Sequence, residues 1–257
     1  MVLRREAKLS VSMAEDPEVL TSVSTGVQVK ICGLTNLADA QAAVDAGATL
    51  LGFIFYEESP RFVTIATVAD IVAKLRGPSP NHQSPIHSAT HRDLVTRSPL
   101  LVGVFVNPSL EQVGTTMDTC ALDLAQLHGE ESPELLALLH RRGYKALRPR
   151  TQAEAESQAK RYVKYGPGCG PQLLVDAYHP AARGGTGQMG DWTLAARLAR
   201  SYRLLLAGGL TPANVAAAVA QVHPWGVDVS SGVEAAPGRK DHAAIHAFVA
   251  AATEARA

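Results

Sequence analysis

Several reactive or charged side chains in this chain fall at the ends of apolar runs, where a plain core would place none. Cys32 closes the run Val29-Lys30-Ile31-Cys32. Lys30 stands two residues earlier and so points to the same face of an extended strand. A thiol with an ordinary pKa of about 8.5 ionises more readily beside positive charge, and the thiolate is a base or a nucleophile. Set against that, a cysteine after apolar residues is also a common small buried hydrophobe. Asp176 follows Leu173-Leu174-Val175. A carboxylate there is costly unless it is paired or meets water, which favours a functional role. Arg61, in Ser59-Pro60-Arg61, is either a surface charge or a planar fork for a carboxylate. His128, in Gln126-Leu127-His128-Gly129, taken alone is more often a structural hydrogen bonder than a catalyst.

Two glycine-containing turns, Gly208-Gly209 and Ser231-Gly232, each follow an apolar run. Glycine there exposes backbone N–H groups, and a helix start behind them favours an anion. Tight turns that need positive φ would also select glycine, but two such loops side by side favour a phosphate. Residues 185–190 match G-x-G-x-x-G. They lie nine residues beyond Asp176 instead of directly between a strand and a helix, so a dinucleotide site is not the reading. A loop over a site, with Gly185 among its N–H donors, is. His82, His87 and His91 lie among Pro78, Pro80 and Pro85. Their spacing fits no familiar metal site, and a solvated loop outweighs a ligand set.

The elements that must position these residues alternate. Apolar runs at 27–31, 50–55, 100–106, 122–127, 145–148, 172–176, 204–207 and 226–229 are mostly continuous, as in strands covered on both faces. Helix-like stretches lie between them, at 36–46 after Thr35, 133–142 after Ser132 and ending at Gly143, 214–222 after Thr211-Pro212, and 241–255. The alternation predicts an α/β fold, a (β/α)8 TIM barrel of eight parallel strands, with a doubly wound open sheet as its competitor. In such a barrel the functional groups gather at the C-terminal strand ends, where Cys32, His128, Asp176, Gly208 and Asp228 all stand. Two segments fall outside the repeat. Residues 1–26 are expected to be a flexible N-terminal extension. Residues 27–257 are expected to be a single barrel domain with an inserted loop at 77–98.

Composition narrows the classes. The chain has 257 residues, 46% apolar, with 24 Lys plus Arg balanced by 24 Asp plus Glu. It is long enough for one large α/β core. A neutral chain with 5% aromatics is a poor nucleic-acid binder, because no basic surplus meets phosphates and few rings stack on bases. No apolar run nears the roughly 20 residues of a bilayer span, and the first 26 residues, with Arg4, Arg5, Glu6 and Lys8, show no secretory signal. Cys32, Cys120 and Cys169 are too few for a disulfide framework and form no CxxC pair. A reduced cytoplasmic setting is the default.

The segments VKICGLTNLADAQAAVDAGATLLGFIFYEESPRFVT, LVGVFVNP, LDLAQLHGEESPE, LLVDAYHPAARGGTGQMGDW, LLLAGGLTPANV and GVDVSSGVEAAPGRKDHAAIHAFV together resemble the phosphoribosylanthranilate isomerases of tryptophan biosynthesis. The resemblance runs from about Val29 to Val249, broken by the 77–98 insert. KICG and DVSSGVE-x-x-PG-x-KD are its most specific parts. It implies an Amadori rearrangement of N-(5-phosphoribosyl)anthranilate to 1-(2-carboxyphenylamino)-1-deoxyribulose 5-phosphate. The implied general base is Cys32 and the implied general acid Asp176. Arg61 would meet the anthranilate carboxylate, with His128 and Asp228 lining the substrate. The phosphate would lie on Gly208, Gly209, Ser231 and Gly232, with Gly185. The site must then hold a thiolate and a protonated carboxyl together, with Cys32 stabilised as the anion and the pKa of Asp176 raised.

The resemblance implies no metal and no organic cofactor, because the substrate nitrogen serves as electron sink. It implies a small-molecule partner, with neither nucleic acid nor membrane, and a monomer or homodimer in the cytoplasm. A histidine-pathway or dual-substrate phosphoribosyl isomerase is the rival enzyme, disfavoured because Cys32 stands where that family has an aspartate. A catalytically silent phosphosugar-binding barrel is the rival from another class; it would be expected to have lost Cys32 or Asp176. The 77–98 insert follows the second helix, on the face away from the chemistry.

Overall fold

The computed structural model of the chain describes residues 26–77, 99–177 and 192–255. Eight parallel strands pair in sequence order and close on themselves. They are β1 (Gln28–Cys32), β2 (Leu50–Ile54), β3 (Leu100–Phe105), β4 (Leu124–Leu127), β5 (Gly143–Leu147), β6 (Leu173–Asp176), β7 (Leu204–Ala207) and β8 (Gly226–Val229). Closure is made by the β1–β8 pair, which sets Lys30 directly beside Asp228. The open-sheet competitor is thereby excluded. No helix among the described residues is long and apolar enough to cross a membrane.

The alternation of side chains along each strand builds two cores. Val29, Ile31, Leu51, Phe53, Leu101 and Leu127 point outward and pack under the helices. Leu50, Leu100, Val102, Leu124, Leu174 and Leu205 point inward and fill the barrel. The helices of the outer ring are α1 (Leu37–Asp45), α2 (Ile65–Arg76), α3 (Leu110–Thr119), α4 (Pro133–Leu138), α5 (Gln152–Tyr162), α6 (Thr193–Ala199), α7 (Val215–Val222) and α8 (His242–Glu254). Their starts are chemically marked: Asn36, Thr64, Ser109, Ser132, Thr151 and Asp241 each accept a first-turn backbone N–H. A short hairpin, β9 (Glu234–Ala236) and β10 (Arg239–Lys240), follows β8 at the barrel mouth.

Some expected boundaries move. Helix α4 stops at Leu138 instead of running to Arg142, since His140 and Arg141 adopt positive φ, 47° and 63°. Gly143 opens β5 instead of ending the helix, because the chain is already paired with β4 there, Ala125 N bonding to Arg142 O; a Cβ at Gly143 would lie 2.7 Å from Leu139 Cδ1. Strand β4 begins at Leu124, two residues late, because Leu122 N still bonds back to Met117 O at the end of the preceding helix. Asn36 and Asn214 are cap positions instead of helical residues. Residues 1–25, most of the 77–98 insert, the three histidines in it and the 185–190 loop lie outside the described residues.

Candidate active site

β1 carries Lys30 and Cys32 on its inward face, one above the other. Lys30 is fully buried. Its Nζ lies 2.8 Å from Gln126 Oε1, 3.1 Å from Asp228 Oδ1 and 3.3 Å from Cys32 Sγ. The first and last of these are hydrogen bonds, and the second is an ion pair that balances the buried charge. The side chains fit because β2 presents Gly52 opposite them. A Cβ at Gly52 would lie 2.8 Å from Cys32 Sγ and 3.0 Å from Lys30 Cε. Burial opposes the Lys30 charge, but Asp228, Cys32 and Tyr144 hold its pKa above the ordinary lysine value. Burial pushes the Asp228 carboxyl up, against the pull of Lys30. It also pushes the Cys32 thiol up, Lys30 pulls it down, and the net direction is upward. The expected stabilised thiolate is therefore corrected: desolvation of an anion outweighs one shared positive charge, so this pocket shifts the thiol pKa upward.

Gln126 carries the order of this cluster across the barrel. Its Oε1 accepts from Lys30 and from Tyr144 Oη (2.9 Å), so its Nε2 must face His128 Nδ1, at 2.7 Å. Lysine cannot accept, which fixes the amide orientation. The amide nitrogen donates, so Nδ1 accepts and the imidazole proton sits on Nε2. That atom is buried, has no hydrogen-bond partner among the described residues and lies 4.0 Å from Asp176 Oδ2. Burial, reinforced by the positive charges of Arg148, Lys30 and Lys145, lowers the His128 pKa to about 3. His128 is a neutral donor pointing toward Asp176. Arg148 Nε stands 3.6 Å from the same carboxylate oxygen.

Above β1, Arg61 is engaged. Its Nε and Nη2 donate to Glu234 Oε1 and Oε2, both at 2.7 Å, and Lys240 Nζ donates to Glu234 Oε1 at 3.0 Å. Burial alone would raise the Glu234 carboxyl; these hydrogen bonds hold it below the ordinary range. The guanidinium packs tightly over Gly33, where a Cβ would lie 2.6 Å from Arg61 Cδ.

The glycine turns adjoin this cluster. Gly208 and Gly209 have φ of 101° and 68°, a region that L side chains rarely adopt. Gly232 is required for a different reason: a Cβ would meet Leu210 O at 1.9 Å, so the two turns touch. Asn214 ties the first turn down, accepting from Thr211 N at 2.8 Å and donating to Gly209 O at 3.0 Å.

One cavity of about 460 Å³ at the C-terminal mouth is lined by Cys32, Asp176, Arg61, His128, Asp228, Gly208, Gly209, Ser231 and Gly232. Every candidate residue read from the sequence opens on it except Gly185, which lies outside the described residues. Its floor and walls include Ile54, Val104 and Leu210, an apolar surface. Gln126, Tyr144, Arg148, Ser230 and Glu234 are site residues that the sequence reading does not single out, and Lys30 enters it only as a charge near Cys32. Lys30 and Gln126 carried a signal, a polar side chain at the inward phase of an apolar strand. Glu234 carried none, since its partner Arg61 lies 173 residues away.

The family model described as N-(5'phosphoribosyl)anthranilate (PRA) isomerase matches residues 78–251. The N-(5'-phosphoribosyl)anthranilate isomerase of Pelobacter propionicus is 46% identical over 230 residues, covering 90% of this chain and 97% of that protein. The enzyme of the same name from Magnetococcus marinus is 42% identical over 230 residues, covering 90% and 97%. Among solved structures, phosphoribosyl anthranilate isomerase from Thermotoga maritima superposes with a TM-score of 0.71 at 36% identity, covering 88% of this chain and 98% of that one. A phosphoribosyl anthranilate isomerase in complex with reduced 1-(o-carboxyphenylamino)-1-deoxyribulose 5-phosphate superposes with a TM-score of 0.69 at 34% identity, covering 88% and 98%.

Proposed function

The chain belongs to the N-(5'-phosphoribosyl)anthranilate isomerase family, and from that premise we propose that Cys32 is the general base and Asp176 the general acid of its reaction. It is an isomerase of tryptophan biosynthesis that converts N-(5-phosphoribosyl)anthranilate to 1-(2-carboxyphenylamino)-1-deoxyribulose 5-phosphate. The observation that carries the role assignment is that Cys32 and Asp176, on strands β1 and β6, line one cavity together.

Asp176, as general acid, delivers a proton to the ring oxygen of the sugar. The C1–O bond breaks and the nitrogen lone pair forms the Schiff base. The Cys32 thiolate then takes the proton from C2. The C2–H electron pair moves to C1–C2, and the C=N pair returns to nitrogen, giving the enolamine that tautomerises to the ketone. Acid and base catalysis of this kind contributes about 10²–10⁴-fold for each group. His128, held as an Nε2–H donor, orients the acid or a substrate oxygen beside it. Arg61 gives its side edge to Glu234 and keeps the donors of its end edge for the substrate carboxylate. Ile54, Val104 and Leu210 take the anthranilate ring, and Asp228 lies beneath the sugar. The phosphate sits on Gly208, Gly209, Ser231 and Gly232, with Gly185, outside the described residues, as a further backbone donor; Ser230, whose buried hydroxyl has no hydrogen-bond partner among the described residues, adds a donor. The reaction takes place in the cytoplasm, in a monomer or homodimer, and sedimentation reads that state.

The test is to generate the aminoaldose in situ and follow loss of its fluorescence. Wild type consumes it. Cys32→Ser and Asp176→Asn each lose most of kcat while remaining folded by circular dichroism, and Arg61→Ala raises KM more than it lowers kcat. Full activity in either of the first two overturns the role assignment.

A further inference from the structure

We propose that the buried Lys30 is the positioning residue on which the Cys32 thiolate depends, and that Asp228 sets how much of its positive charge reaches the sulfur. The argument starts from the strand pair that closes the barrel. Lys30 and Asp228 are register partners of β1 and β8, both inward. Nothing requires a lysine at that layer for packing; its register partner on β2 is Leu50, and the barrel interior is otherwise filled by residues such as Leu124 and Leu205. An ammonium buried among leucines is costly unless it is paired and hydrogen-bonded. Here Nζ donates to a neutral amide oxygen and to Cys32 Sγ, and the Asp228 carboxylate balances its charge as an ion pair at 3.1 Å. The sulfur is the weaker of these acceptors as a thiol and a strong one as a thiolate, so its hydrogen bond strengthens only when Cys32 ionises. Gly52 leaves the room for this contact: a side chain there would separate ammonium from sulfur.

The other charged or titratable groups around the sulfur do not replace Lys30. Lys240 and Arg61 act on it through charge, but both are committed to Glu234. Tyr144 donates to Gln126. His128 is neutral, and Asp176 faces it across the cavity. Among the described residues Asp228 is the anion paired with the same ammonium, so it competes with the thiolate for it.

The consequence is a pair of opposite shifts. Removing the lysine charge moves the Cys32 titration up; removing the Asp228 charge moves it down. A purely structural ion pair would not give this, since breaking it from either side disturbs the pocket in the same sense. The inference rests on Cys32 acting as base, and the experiment separates the two. The pH dependence of Cys32 alkylation by iodoacetamide, read on its own peptide by mass spectrometry, measures the thiolate whether or not the residue is catalytic. Asp228→Asn is expected to titrate below wild type. Lys30→Met is expected at least one pH unit above it, which is about tenfold less thiolate at fixed pH. The double variant Lys30→Met with Asp228→Asn, which leaves no unpaired buried charge, falls between wild type and Lys30→Met and stands in if the single lysine variant does not fold. The kcat of Lys30→Met, or of the double variant in its place, recovers toward high pH along the same curve. Any other order of the titrations overturns the proposal. Undiminished turnover in Cys32→Ala overturns the base assignment instead and leaves the titration order standing.

Discussion

At the Cys32 flank of the barrel mouth the polar groups are dry, whereas at the Asp176 flank they are wet. Cys32, Lys30 and Gln126 are 5%, 0% and 1% exposed. The side chains of Asp176 and Arg148 are 23% and 64% exposed. The base flank is built from fixed charges in a medium that punishes each of them, so its ionisation is decided by which protein groups touch the sulfur. The acid flank opens to solvent, where water supplies and removes protons. One site thus holds two degrees of solvation because one flank is closed off by the barrel interior and the other is not.

The largest expected effect would sharpen this contrast. Cys32→Ser is expected to lose about 10⁴-fold in kcat and Asp176→Asn about 10²-fold, the two ends of the usual range for such groups. Water can partly replace an acid at an open flank and cannot replace a base in a closed one. Equal losses in the fluorescence assay would break the contrast.

Next in size is Gly52→Ala. Its Cβ would lie 2.8 Å from Cys32 Sγ. Displacing the base by a fraction of an ångström to one ångström is expected to lower kcat about 10²-fold with KM little changed. An unchanged kcat would mean that the dry flank is not closely fitted.

The pH dependence of stability tests the boundary between the flanks, where His128 stands. Its pKa is about 3 in the folded protein against an ordinary 6.5, so the unfolded chain binds a proton that the native state refuses. Its stabilising contribution is complete above about pH 6.5 and is lost as the pH falls toward 3. The urea midpoint should therefore fall more steeply with acidification in wild type than in His128→Gln. Parallel curves would mean that His128 is not desolvated.

The smallest effect is expected at the wet flank. Arg148→Ala removes an exposed contact at 3.6 Å and should change unfolding free energy by no more than about 0.5 kcal/mol in chemical denaturation. A change of several times that would show that the Asp176 flank is as tightly coupled as its counterpart.

Much of this site was legible beforehand because it is periodic. Cys32, His128, Asp176 and Asp228 each stand at the end of an apolar run, and the eight runs place those ends around one rim. Positions 208, 209 and 232 were legible because glycine marks backbone that no other residue fits, and the structure gives the reasons, positive φ at two and a carbonyl in the way at the third. The length of α4 was not legible, because its end is set by His140 and Arg141 turning left-handed, a choice that no local signal announced. Nor was the upward shift of the Cys32 thiol, because the cost of burying an anion depends on everything packed around it.

The sequence by itself determined which side chains face inward, since alternation along a strand is a local property of the backbone, and it determined the family through motifs carried in short segments. Only the tertiary structure decided who meets whom. Lys30 finds Gln126 across 96 residues and Arg61 finds Glu234 across 173. Those meetings exist because the eighth strand closes on the first, and closure is a property of the whole ring that no single segment contains.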